Sequence, residues 1–229
     1  MRGNGTPETL QRQYDARFSG SEHYRDQVWK ELCSFFARYI PAGATILDLG
    51  CGWGEFINNI AAAKKIGIDL NPDGQKHLRP EVQFLHADCA NQWPLASDSL
   101  DIVFTSNFLE HLPAKATVER AVSEAFRCLR PGGRLICMCP NIKYVHGAYW
   151  DFWDHHLPLT ELSVGELMRL NKFSVEESIP RFLPYSMSLG RRPPLIFVRL
   201  YLNCPWLWRF FGKQFLVVGV KQGIQGDQA

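Results

Sequence analysis

The chain reads as an α/β protein built on a doubly wound, mostly parallel sheet. From residue 45 to about 140, short apolar runs alternate with helix-like segments, and parallel strands need such crossover connections. A second observation is the run Ile46-Leu47-Asp48-Leu49, which ends in the turn Gly50-Cys51-Gly52-Trp53-Gly54. Its residues suit a strand buried on both faces, and its glycines suit a sharp turn into a helix.

The elements follow in order. Tyr24, Val28, Leu32, Phe35 and Phe36 recur near helical spacing, so the first 40 residues read as helical, with Pro41-Ala42-Gly43 as the stop. Strands are expected at Ile46–Leu49, Ile66–Leu70, Phe84–Cys89 and Leu100–Phe104. A helix over roughly 115–130 ends at Pro131-Gly132-Gly133 and feeds a strand from Arg134 to Cys139. Beyond Pro140 the character changes: Tyr144, Tyr149, Trp150, Phe152 and Trp153 crowd around Asp151, Asp154, His155 and His156. A helix from Ser163 to Leu170 and two final strands, Phe173–Ile179 and Phe215–Val220, complete the reading. The organisation is one domain: a helical cap over 1–42, a ligand-binding core over 43–140, and a second side over 141–229 with an apolar insertion at 183–212.

Composition narrows the function. With 229 residues and a net charge of +2, the chain carries no electrostatic footprint for nucleic acid. Seven cysteines, an odd number, stand without metal-finger spacing and mostly within apolar runs, which reads as reduced thiols of a cytoplasmic protein. The first residues, Met1-Arg2-Gly3-Asn4-Gly5-Thr6, lack the apolar stretch of a signal peptide, which argues against secretion.

The glycine turn points to a nucleoside-type ligand. Asp69 closes the second strand 15 to 19 residues beyond the glycines, where an acid can accept both hydroxyls of a ribose. The spacing Asp48-x-Gly50-x-Gly52-x-Gly54 differs from the G-x-G-x-x-G that seats a pyrophosphate on a helix terminus; an acid beside a tighter turn suits a ligand with an ammonium group. A nicotinamide-dependent oxidoreductase would call for G-x-G-x-x-G and a Tyr-x-x-x-Lys helix, and neither is present.

With this turn, Phe84-Leu85-His86-Ala87-Asp88-Cys89, Leu100-Asp101-Ile102-Val103-Phe104, Ser106-Asn107-Phe108-Leu109-Glu110-His111-Leu112 and Leu129-Arg130-Pro131-Gly132-Gly133, the chain resembles the class I S-adenosylmethionine-dependent methyltransferases. The similarity is to the broad small-molecule branch that includes ubiquinone-biosynthesis-type enzymes. It implies a seven-stranded Rossmann-like sheet closed by a C-terminal antiparallel hairpin, whose last loop is longer here than in the family. It also implies S-adenosyl-L-methionine as cofactor, contacted by Asp48, Gly50, Cys51, Gly52, Asp69, Leu70, Asp88, Cys89 and Asn107. Asp88 is the residue expected at the adenine. Arg17 or Arg25 would reach the methionine carboxylate; a surface role is the alternative for both.

The resemblance implies methyl transfer to a small-molecule or lipid-linked acceptor, with a non-catalytic cofactor-binding adaptor as the rival reading. His111, His155 and His156 are the candidates for acid–base work, and Tyr149 and Trp153 for the acceptor wall. His111 has two readings: a base near neutral pKa, or a residue that only shapes the pocket. Glu110, His111, Asp151, Asp154, His155 and His156 offer oxygen and nitrogen donors, but their spacing fixes no metal geometry and no metal is assigned. In the insertion, Leu195, Val198, Leu202 and Trp206-Leu207-Trp208, bordered by Arg191, Arg192, Arg199, Arg209 and Lys213, read either as a peripheral membrane contact through 191–213 or as a lid or dimer surface.

Overall fold

The computed structural model describes residues 20–185 and 192–223. Helix α1 spans Glu22–Phe36; strand β1, Thr45–Leu49; helix α2, Glu55–Asn59; and strands β2, β3 and β4, Lys64–Asp69, Val82–His86 and Leu100–Ser106. Helix α3 is Lys115–Cys128, β5 is Leu129–Pro140, α4 is the single turn Ile142–Val145, and α5 is Glu161–Leu170. The chain closes with β6, Phe173–Ile179, the helices α6, Leu195–Asn203, and α7, Pro205–Phe211, and β7, Gln214–Lys221.

The seven strands form one sheet in the order β3-β2-β1-β4-β5-β7-β6. The first five run parallel, and β7 is antiparallel to both β5 and β6. The strand order reverses between β1 and β4, and in open α/β sheets ligands bind at that switch point, beyond the carboxyl ends of the strands.

Continuous apolar strands let the sheet bury both faces. Leu47, Val103, Leu135 and Val217 point to one face, where Val118, Ala121 and Val122 of α3 and Val164 and Met168 of α5 cover them. Their neighbours Ile46, Ile102, Ile136 and Leu216 point to the other, under α1, α2, α6 and α7. Helix α1 is therefore more than a cap: Trp29 and Phe36 pack edge-on against Phe56 and Phe104, which themselves stack at 3.6 Å between ring centroids. Fully burying such a side chain contributes about 1.5–3 kcal/mol.

The insertion differs from its sequence reading. Leu202 and Trp208 are buried in the core under α1, with the Trp208 indole N–H donated to the Tyr201 carbonyl at 2.8 Å. The outward residues are Ile196, Phe197, Leu200, Trp206, Phe210 and Phe211. Arg199 is a strut rather than part of a basic rim, because its guanidinium forms a two-pronged pair with Glu31 of α1 at 2.7 and 2.9 Å. Helical phase decides this: the sequence shows an apolar, aromatic segment, and only packing shows which residues turn inward. Among the described residues, no helix is long and apolar enough to cross a membrane.

Candidate functional site

The turn after β1 is built by backbone conformation. Gly50, Gly52 and Gly54 have φ of 72°, 50° and 77°, in the left-handed region that side chains disfavour. At Gly50 there is a further reason for glycine, since a Cβ would lie 2.3 Å from the Phe108 ring. Phe108, which the sequence reading passed over, thus ties the loop after β4 to the turn. Cys51 faces inward: its sulfur would stand 2.8 Å from a Cβ on Gly67 of β2.

Asp69 holds the turn from below. One carboxylate oxygen accepts the Gly52 amide and the other the Asn71 amide, both at 2.8 Å. Each oxygen keeps a second lone pair for a ligand hydroxyl. Desolvation raises the Asp69 pKa above its ordinary value, with the backbone amides pulling the other way. Asp48 is displaced further upward by burial, followed by the charges of Glu55 and Asp69. A bound cation would favour the ionised form of both acids, and a pyrophosphate would oppose it.

The remaining cofactor candidates vary. Leu70 is half-buried at the end of β2, and its carbonyl lies 3.0 Å from Nε2 of His86. Asp88 lies in the loop after β3, half-buried, with Oδ1 accepting the Ala90 amide at 2.9 Å, a local turn contact. Cys89 is buried, and its carbonyl accepts the Trp93 indole N–H. Asn107 is exposed with φ 48°, its amide donated to the Met138 carbonyl. Arg25 pairs with Glu55 at the start of α2. Arg17 lies outside the described residues.

Of the residues expected at the acceptor, the structure brings together His111, His155 and Tyr149. The two imidazoles sit 4.9 Å apart, centroid to centroid, and Tyr149 is 4.6 Å from His155. His111 Nδ1 lies 3.0 Å from the Asp154 carbonyl and 3.2 Å from its carboxylate. Burial disfavours its imidazolium, but the hydrogen bond to Asp154 and the charges of Glu110 and Asp154 outweigh that and hold the pKa above its ordinary value. Tyr149 is fully buried and donates its hydroxyl to the Leu157 carbonyl, so it supports His155 from behind instead of forming an open wall. Trp153, 92% exposed, and the exposed His156 stand outside this group. The segment 152–157 is irregular, with no strand or helix period to show which of its neighbouring side chains turns inward.

Turn, underlying acid and switch-point location define the class: a nucleoside-binding domain on a Rossmann-like sheet. Residues 47–137 match the family described as "Methyltransferase domain", and the fold around them is that of the class I S-adenosylmethionine-dependent methyltransferases. The methyltransferase-domain match thus lies over residues 47–137, and S-adenosyl-L-methionine is the cofactor that goes with that segment. It is 34% identical over 148 residues to a probable S-adenosylmethionine-dependent methyltransferase of Mycolicibacterium smegmatis, covering 62% of this chain and 56% of that protein. With a ubiquinone/menaquinone biosynthesis C-methyltransferase of Bartonella bacilliformis it shares 28% identity over 147 residues, covering 57% of this chain and 55% of that one. A solved S-adenosylmethionine-dependent methyltransferase from Archaeoglobus fulgidus superposes with a TM-score of 0.67 at 18% identity, over 92% of this chain and 99% of that one. The chain spans about half the length of these curated relatives.

Proposed function

We propose that this chain moves the sulfonium methyl of S-adenosyl-L-methionine to an apolar small-molecule or lipid-linked acceptor. The observation that carries the reading is the acid-backed glycine turn at the switch point, with Phe108, three residues before His111, packed against Gly50. The cofactor supplies the chemistry. The residues around it must hold acceptor, methyl and sulfur in line, with reacting atoms ~3–3.5 Å apart, and keep water out.

Asp69 takes the ribose hydroxyls, and a cationic ligand would favour ionisation of the buried Asp48 and Asp69, which a phosphate-bearing one would oppose. Acceptors enter at the carboxyl edge, beside His111. With its pKa raised and Asp154 orienting its ring, His111 is a positioned group that can take a proton from an acceptor hydroxyl.

The outward face of α6 and α7 supports an acceptor presented at a membrane surface. Ile196, Phe197, Leu200, Trp206, Phe210 and Phe211 form an exposed apolar set with Arg209 and Lys213 nearby in the chain, which suits an interfacial contact. Incubating the protein with methyl-labelled cofactor and a cell extract, then analysing by mass spectrometry, tests the reading and identifies the acceptor. A labelled apolar product is expected; cofactor binding without any labelled product would favour the adaptor instead.

A further inference from the structure

We propose that Glu110, His111 and His155 form a binding site for one divalent first-row transition cation, with zinc the leading fit. One ring nitrogen of each histidine and one Glu110 oxygen lie within 4.8 Å of one another. Zinc bonds to such atoms run about 2.0–2.2 Å, so ligand atoms around one ion stand ~3–4 Å apart, and small rotamer shifts close the difference.

Three features make this more than a chance cluster. Glu110 is fully buried, and neither carboxylate oxygen has an N–H or O–H donor; beside it stands only the thiol of Cys139, a weak donor. Buried polar groups left in that state are rare and costly, and a bound cation would satisfy both oxygens. Next, both imidazoles are oriented from behind. The Nδ1 of His155 lies 2.7 Å from the Tyr149 carbonyl and that of His111 lies 3.0 Å from the Asp154 carbonyl. Carbonyls only accept, so each Nδ1 carries the proton and each Nε2 is the unprotonated nitrogen of the neutral ring, which is how metal-binding histidines are commonly set.

The third feature is that the backbone assembles the group in advance. Glu110 and His111 lie in the 3-10 turn Leu109–His111 after β4, and the Glu110 carbonyl accepts the amides of His156 and Leu157 at 2.8 and 3.2 Å. Two imidazoles and one carboxylate favour zinc, cobalt or iron over magnesium or calcium, which prefer all-oxygen shells. Three protein ligands leave a coordination position open, and the partly exposed His111 marks the side from which a cation enters.

The site shares no proposed ligand with the cofactor turn, but a cation on Nε2 of His111 would take the nitrogen offered there as a base, so cofactor binding rather than methyl transfer is the independent readout. Chelator-treated protein is titrated with zinc chloride by calorimetry, and with cobalt chloride by visible absorption. One cation per chain is expected, with cobalt ligand-field bands. Glu110→Gln and His155→Ala should each weaken affinity at least about tenfold, and Asp154→Asn, which removes a supporting carboxylate, by about 10- to 100-fold. His156→Ala should leave affinity unchanged. Circular dichroism checks folding, and the isosteric Glu110→Gln keeps the test decisive if His155→Ala does not fold. No stoichiometric uptake by folded protein, or full affinity in Glu110→Gln, would overturn the site, and S-adenosyl-L-methionine binding measured on the same samples would separate that failure from loss of the cofactor site.

Discussion

The cofactor side and the acceptor side of this sheet edge are built by different means. On the cofactor side the backbone dominates: three positive-φ glycines and amides held by Asp69 shape the turn. On the acceptor side, side chains from two segments, Leu109–His111 and 149–157, converge with no regular element beneath most of them. The first kind of site is written in consecutive residues and the second in their packing. Single substitutions should therefore hit the turn harder than the histidine group.

The largest effect is expected from Gly52→Val. A β-branched residue at φ 50° is strained, and the amide held by Asp69 would shift, so cofactor binding should fall below detection by calorimetry in a protein that still folds. Asp69→Ala should weaken binding by roughly 1–3 kcal/mol, since it removes a charged acceptor from the ribose and from the Gly52 amide. Affinity unchanged in that variant would detach Asp69 from the ligand and erase the contrast between the two sides.

Acidification sharpens the same point. Asp69 accepts the ribose only when ionised, and its pKa in the folded, ligand-free chain lies above the ordinary 3.8. Affinity should therefore be full above that raised pKa and fall as pH drops through it, at a higher pH than for an exposed aspartate. Calorimetry across an acid pH series, with circular dichroism to confirm folding, would show it.

Smaller effects are expected far from the turn. Replacing Phe197, Trp206 and Phe210 together with serine should release the protein from anionic vesicles in co-sedimentation, while Trp208→Ser should mainly lower stability, because Trp208 is 7% exposed and Trp206 is 64% exposed. Similar vesicle release by both would dissolve the division between inward and outward faces. Thr160→Ala, which breaks the reciprocal cap between Thr160 and Ser163 on α5, should cost about 1 kcal/mol in denaturant unfolding.

The sequence shows unequal amounts of each side, for a physical reason. Strand periods, glycine turns and the acid closing β2 are local, so β1 to β5, α3, the final hairpin and the turn were all legible. The contact of Asp88 with the Ala90 amide is equally local, an Asx-type turn two residues long. Partnerships across long separations were not legible: Phe108 over Gly50, Arg199 on Glu31, and Glu110 facing His155 depend on how segments pack. The Glu-His pair and the Asp-His-His triplet gave the signal for the last of these, and the sheet supplied the register that joins them. Trp153 is the opposite case, since an aromatic in an irregular segment carries no phase to say that it faces solvent.

The central claim is that the acid-backed glycine turn binds S-adenosyl-L-methionine. Calorimetric titration of the cofactor into the folded, unmodified chain tests it most directly, with Gly52→Val as the control. One site per chain is expected in the unmodified protein and none in the variant. A folded protein that takes up no cofactor, or a variant that binds as well as the parent, would contradict it.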